Sequence, residues 1–287
     1  MDIKTYLAKH YQPSSVKAYL RDIEQYLATQ KAPERARYQD IIRYLNEQRK
    51  TQKPASLNRI LQSIKKYYNY LLAIGKRTDH PAQSIQIKDE HSKGYAKKLL
   101  TAEQLQALWQ HVLARKSRYQ LLKNRNISML GLLLYQGLTA GEIKRLRPEN
   151  IDLQAARVHV PSSPRLNARQ LRLEAPQILP LYQYLDQDRP KLLNSPQSSL
   201  FINKLGQPES GETLGYLLKT ARPQFKPLTF NPKTVRMSVL ASKFKAGWSL
   251  LQVQYFAGHR YPSSTQRYQQ SDLEALENSL ATYHLLG

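Results

Sequence analysis

There is no cysteine in this chain of 287 residues. Disulfides, thiolate metal sites and a cysteine nucleophile are therefore excluded, and the absence fits a reducing compartment. Acidic residues are scarce. The chain has 21 Asp and Glu against 44 Lys and Arg, a formal charge of 44 − 21 = +23. Such an excess speaks of partners rather than of fold. Nucleic acid is the polyanion that rewards it best, because its phosphates release counterions to clustered Lys and Arg. A basic membrane-surface protein is the rival, but it needs an amphipathic or lipidated anchor, and none is found. Long hydrophobic runs are also missing. The longest, around Met129 to Tyr135, is far too short to span a bilayer. The start, Met1-Asp2-Ile3-Lys4-Thr5-Tyr6, has no apolar stretch after a basic segment, so no signal peptide is expected. The seven histidines are scattered, none paired at metal-ligand spacing. No glycine-rich phosphate loop precedes a Lys-Ser or Lys-Thr pair. These absences point to a soluble, cytoplasmic protein with no metal and no cofactor.

The length allows two domains, and the pattern along the chain divides accordingly. Residues 1–85 read as a helical domain. One helix opens at Ser14-Ser15-Val16 and carries Val16, Tyr19, Leu20, Ile23, Tyr26 and Leu27 at helical spacing. Another starts at Gln39-Asp40. A third follows Lys53-Pro54, with Leu57, Ile60, Leu61, Ile64, Tyr67, Tyr68 and Leu71 on one stripe, and Gly75 stops it. The tyrosines on that stripe suit either base stacking or a small helical core; their spacing follows the apolar face and favours the core. Lys65 and Lys66 beside them are candidate phosphate contacts. Residues 86–98 form a basic linker that includes Lys97 and Lys98, also candidates for DNA contact, although any exposed linker tolerates charge.

From 99 to 287 the pattern is mostly helical with a small sheet. Thr101 and Gln104 form a capping box. An apolar helix from about Asn126 to Gln136 breaks at Gly137, and a shorter one ends near Leu146. Ala156–Pro161 and Leu166–Leu173 alternate like the strands of a hairpin. Helices return from Gln177, interrupted by a strand-like piece at Leu200–Asn203 and a turn at Gly206. The fold class is thus mainly α, an N-terminal helical domain followed by an α+β domain with a small antiparallel sheet.

Near the end stand Lys233-Thr234-Val235-Arg236, then Phe256-Ala257-Gly258-His259, then Tyr268, nine residues past the histidine. This order resembles the catalytic end of the tyrosine recombinase (phage integrase) family. Earlier fragments agree. Ser15, Tyr19 and Asp22 match the start of the family's SAM-like core-binding domain, and Tyr68-Asn69-Tyr70-Leu71 leading to Gly75 and Pro81-Ala82 matches its end. The resemblance covers nearly the whole chain. It implies a clamp of two domains on double-stranded DNA, hence association with the nucleoid.

The chemistry the resemblance implies is specific. Tyr268 is the nucleophile that forms a 3′-phosphotyrosyl bond. Ser263 with Gln266 makes a capping box before it, so Tyr268 falls in the first turns of a helix whose positive end favours a phosphate. His259 and Arg236 contact the transition-state phosphate, and the arginine fork can bind two oxygens at once. Lys233 stands where the family usually has histidine and still supplies a cation. Two positions depart from the pattern. In Gly137-Leu138-Thr139-Ala140-Gly141-Glu142, Thr139 occupies the place of the family's first arginine. The hairpin lysine that acts as general acid has no lysine counterpart, since none occurs between Lys144 and Lys191. Arg165, Arg169 and Arg172 are the basic residues of the hairpin's loop and second strand, and Arg165 is the candidate to replace a missing cation.

The tail from Ser271 to Leu280 reads as an amphipathic helix. The resemblance implies that it docks into a neighbouring protomer and links a homotetramer; docking on its own domain fits the residues equally. The family also implies further partners, an accessory DNA-bending protein or a second recombinase. Two functional readings follow: an active recombinase of integrase or transposase type, and an impaired homologue that binds its site as an accessory protein. A metal-dependent nuclease is disfavoured because no carboxylate cluster accompanies the basic residues.

Overall fold

A computed structural model of the chain describes residues 1–30, 32–87, 99–266 and 268. The chain divides into two compact units, one within the first 94 residues and one in the remainder. Each has its own hydrophobic core. Lys97 and Lys98, most of the 86–98 segment and the tail beyond 268 lie outside the described residues.

The first unit is helical. It comprises α1 (Ile3–His10), α2 (Pro13–Thr29), α3 (Tyr38–Arg49) and α4 (Pro54–Ala73). Proline stands at the first position of α2 and α4, where its missing N–H costs nothing and its fixed φ suits a helix start. The stripe on α4 is buried from Leu57 to Leu71 and packs with Val16, Ile23 and Tyr26 of α2. Tyr67 and Tyr68 belong to this core. Tyr68 is fully buried, its hydroxyl 2.6 Å from that of Tyr26 and donating to Pro33 O. Tyr70 is half-buried and donates to Met1 O. The stripe is thus a packed face whose polar tips are satisfied. Burying each large apolar side chain contributes roughly 1.5–3 kcal/mol. Asp22 is also buried and accepts from Ser63 and pairs with Arg59. Helix α1 was not anticipated as a separate element. It has eight residues and one buried side chain, Leu7, too few to show a period; its signal is the Asp2 cap, whose carboxylate accepts from Thr5 N at 2.8 Å.

In the second unit, α5 (Ala102–Ala114) begins with the expected Thr101–Gln104 capping box. Helix α6 (Lys123–Gln136) runs through the middle of the core, buried at most positions from Ile127 to Gln136. Gly137 ends it at φ +60°, a left-handed cap that glycine adopts without strain. A short α7 (Ala140–Arg145) follows. The sheet has three antiparallel strands in the order β1 (Ile151–Asp152), β2 (Arg157–Val160) and β3 (Arg169–Arg172). The remaining helices are α8 (Ala175–Gln183), α9 (Arg189–Leu192), α10 (Thr213–Ala221), α11 (Pro232–Lys245) and α12 (Leu250–Ala257). Residues 262–266 form a further helical turn.

The hairpin strands are shorter than the alternation suggests. Val160 pairs with Arg169, and residue 166 leaves the ladder to form a bridge with His259 instead. The strand-like piece at Leu200–Asn203 makes a single bridge, Ile202 with Pro208, across the turn at Gly206. The final turn is already helical at Pro262, so proline opens it one residue before the expected Ser263 cap.

Candidate active site

Residues from α7, the β2–β3 hairpin, α11, the end of α12 and the final turn meet around one buried carboxylate. Glu142 sits on α7 and is 1% exposed. Thr139 caps that helix. Its hydroxyl accepts from Glu142 N at 3.1 Å and donates to Glu142 Oε2 at 2.9 Å, while its backbone N–H donates to the same oxygen at 2.8 Å. This reciprocal box fixes the carboxylate. The other oxygen, Oε1, accepts from Arg169 Nη1 at 2.6 Å, and Arg236 Nη1 stands 3.5 Å from Oε2. Burial works against the ionised carboxylate, but Arg169 and then Arg236 outweigh it, so the Glu142 pKa falls below its usual value.

Arg236 projects from the buried side of α11. Its Nη1 also donates to Gly137 O, and its Nη2 donates to Ala257 O at 2.7 Å and approaches His259 Nε2 at 3.4 Å. Arginine can only donate, so Nε2 accepts. The imidazole proton then lies on Nδ1, which donates to Thr265 Oγ1 at 2.9 Å. Burial, then Arg236, then Arg169 push the His259 pKa down to about 4, leaving a neutral ring at pH 7. Tyr268 lies against this ring, with centroids 5.8 Å apart and planes within 11°.

Two arginines share one carboxylate, and the histidine is neutral. Among the described residues the buried cluster therefore holds one cation in excess. Uncompensated buried charge is costly, and an oxyanion placed among these groups would remove the imbalance.

Gly258 lets the cluster close. It caps α12 at φ +72°, and a Cβ there would overlap Arg169 Nη1, lie 2.9 Å from its Cζ and 3.1 Å from Asn167 O. The loop between β2 and β3 docks on the same segment: Asn167 N donates to Gly258 O at 2.8 Å, and Arg260 Nη2 donates to Ser163 O at 3.0 Å.

Two family models match the sequence. One describes the phage integrase family and covers residues 98–274; the other describes the phage integrase N-terminal SAM-like domain and covers residues 4–75. This chain belongs to the phage integrase family. Among relatives, it is 27% identical to the tyrosine recombinase XerD of Listeria innocua serovar 6a over 272 residues, covering 91% of this chain and 89% of that protein. Among solved structures, it resembles the XerH site-specific recombinase bound to palindromic difH substrate in a post-cleavage complex, with a TM-score of 0.76 at 14% identity over 94% of this chain and 80% of that one. It also resembles a lambda integrase tetramer bound to a Holliday junction, with a TM-score of 0.68 at 16% identity over 93% of this chain and 74% of that one.

Against the integrase pattern, Arg236, His259 and Tyr268 are brought together. Lys233 is exposed on the first turn of α11. Arg165 is exposed in the hairpin loop, its backbone N–H on Ser163 Oγ. The hairpin arginine that enters the cluster is Arg169, 3% exposed. Sequence reasoning passed over it, although strand alternation marks it. Arg169, Leu171 and Leu173 share one face, and both leucines are buried. Thr265, fully buried behind His259, was also missed and carries no sequence signal. Thr139 and Glu142 do carry one, the T-x-x-E capping box.

In the first unit, Lys65 Nζ donates to Gln83 O at 2.9 Å and Ile85 O at 2.8 Å. Lys66 Nζ sits 4.8 and 4.7 Å from the ring centroids of Tyr11 and Tyr19, and burial lowers its pKa. Both lysines thus have intramolecular partners.

Proposed function

We propose that this chain is a site-specific DNA recombinase of integrase or transposase type that works through a 3′-phosphotyrosyl intermediate. The observation that carries the reading is the buried cluster of Arg236, Glu142, Arg169 and His259, one cation in excess, with the Tyr268 ring against the imidazole. A scissile phosphate seated there supplies the missing anion.

In the reaction, Tyr268 Oη attacks phosphorus. The Oη–P bond forms and the P–O5′ bond breaks. The phenol gives its proton to water, and the 5′-oxygen takes one from water and leaves as a hydroxyl, so no net proton is consumed. One phosphate ester replaces another, so the link's energy is kept, and a 5′-hydroxyl of a partner strand reverses the step without ATP. Arg236 engages the non-bridging oxygens and Lys233 adds a cation; His259, unprotonated at Nε2 in the free site, joins them by taking up a proton there as the phosphate's charge arrives. Arg165 is available to a DNA phosphate from the solvent side. Lys97 and Lys98 contact the DNA backbone, and Lys65 and Lys66 do so by exchanging their intramolecular partners for phosphate. The substrate is double-stranded DNA bearing a recombination site. The working form is a homotetramer linked by exchange of the C-terminal helix, assisted by a DNA-bending protein or a second recombinase.

The alternative is an impaired homologue that binds its site and leaves the chemistry to a partner. Thr139 favours it, since losing one preorganised donor to a transition-state oxyanion costs roughly 10²–10³ in rate. Covalent trapping separates the two. A duplex selected by the protein from a random-sequence pool is nicked beside the bound site and incubated with it, and a protease-sensitive adduct is sought on a denaturing gel. An adduct that disappears in Tyr268→Phe is expected. Tight binding with no adduct would establish the accessory role.

A further inference from the structure

The family's first arginine position holds Thr139, whose side chain is committed to capping α7 and orienting Glu142. The cluster nevertheless contains two buried arginines, and they are used differently. Arg236 has acceptors for both terminal nitrogens: Gly137 O and Glu142 for Nη1, Ala257 O and His259 for Nη2. Arg169 has acceptors for only two of its three nitrogens. Its Nε donates to Phe256 O at 2.7 Å and its Nη1 to Glu142 Oε1 at 2.6 Å. Nη2 is buried and has no partner among the described residues.

Such a donor is unusual. A buried N–H without an acceptor bears its full desolvation penalty, and a charged one more. Here the penalty falls on a side chain 3% exposed, clamped on two sides and therefore unable to swing to solvent. Room for it depends on Gly258, where any Cβ would collide with its guanidinium. Arg169 also acts on the same imidazole that Arg236 touches, since both charges disfavour its protonation.

We infer that Arg169 is a catalytic residue of this chain, its Nη2 donating to a non-bridging oxygen of the scissile phosphate and so taking over, from the hairpin, the place vacated at Thr139. The ligand is a phosphodiester because the donor is a planar cation beside a second cation, with a neutral imidazole and a phenol next to them. A phosphate oxygen satisfies Nη2, and its charge cancels the cation in excess. Glu142 then has a defined part. It holds Nη1 and leaves Nη2 as the uncommitted donor, as a positioning residue. This assignment rests on the recombinase reading above.

The experiment uses the full chain and the nicked duplex already described, with the scissile phosphate mapped on the wild-type adduct. A second duplex carries a neutral methylphosphonate at that link, which removes the charge Arg169 is inferred to meet. Arg169→Ala is expected to lower adduct formation on the phosphate duplex by roughly 10²–10³, with most of the loss recovered on the methylphosphonate duplex. Arg169→Lys keeps a cation for Glu142 but offers no second nitrogen; it is expected to fold, as judged by thermal melting, and to show the same pattern more weakly. If Arg169→Ala does not fold, Arg169→Lys decides. Undiminished adduct in the variant that folds overturns the assignment. So does an equal loss on both duplexes, which marks Arg169 as structural only. No Tyr268-dependent adduct from the unaltered protein overturns the recombinase reading itself, and this inference with it.

Discussion

Glu142 and Arg169 form an ion pair closed to solvent on both sides, Oε1 to Nη1 2.6 Å, with side chains 0% and 1% exposed. Removing one partner of such a pair leaves the other charged and unpaired. Glu142→Ala strands two arginines and is expected to cost about 3–5 kcal/mol in urea unfolding. Glu142→Gln keeps the shape and one acceptor oxygen and should cost less. A loss below about 1 kcal/mol in Glu142→Ala would mean that the pair behaves as a surface salt bridge.

Gly258→Ala tests the space beside Arg169. The residue sits at φ +72° and its Cβ would meet the guanidinium. The backbone strain alone is roughly 1–2 kcal/mol, and expulsion of Arg169 adds the cost of an unpaired Glu142. The expected result is a lower melting temperature. Gly75→Ala serves as the control. It is also left-handed, at φ +71°, but has nothing within 4 Å of a Cβ, so only the strain should appear.

Stability should depend on pH through His259. Its pKa is pushed from 6.5 down to about 4 in the fold, so between these values the unfolded chain binds a proton that the native one does not. Stability is therefore full above pH 6.5 and falls as pH drops towards 4, by about 3 kcal/mol in all. Glu142 acts later. Its pKa is lowered from 4.5, so its contribution is present above that value and is lost as pH falls further, through the folded-state pKa. Unfolding curves between pH 7 and 4.5 should flatten in His259→Gln. An unchanged slope would assign the effect to other groups.

Thr265→Val replaces the acceptor behind the imidazole with a methyl group of similar shape. The buried Nδ1–H then lacks its 2.9 Å partner, at a cost of about 1–3 kcal/mol. Nitrogen NMR of the histidine ring should still show the Nδ1-protonated tautomer, because Arg236 faces Nε2, and Thr265→Ser should restore the lost stability. A switch to the Nε2-protonated tautomer in Thr265→Val would show that Thr265, not Arg236, sets it.

Much of the fold was legible because its signals are local. The Thr101–Gln104 box, the left-handed stop at Gly137 and the α4 stripe each lie within a few turns of chain, and each is found where expected. The candidate site was legible only in part. Arg236, His259 and Tyr268 stand in a recognisable order, but the order says nothing about which hairpin arginine turns inward. That choice depends on strand phase. Leu171 and Leu173 set the buried face and carry Arg169 with them, while Arg172 points out. Reading Arg165 from its place in the loop missed this, because a basic residue is expected at the surface. The tautomer of His259 follows from Arg236 at Nε2 and is satisfied by Thr265 at Nδ1, contacts that only the fold makes.

The hairpin loop is clipped to the chain around Gly258 and His259 by the Leu166–His259 bridge and the Asn167–Gly258 hydrogen bond. Members of the cluster lie as far apart in sequence as Thr139 and Tyr268, so their assembly closes long loops and comes at high contact order. During synthesis, a chain that has passed Arg169 but not reached Arg236 has Glu142 and its first cation but neither the second arginine nor the imidazole. The charge imbalance of the cluster is thus absent from every nascent fragment that stops before residue 236 and arises only when nearly the whole second unit has been made.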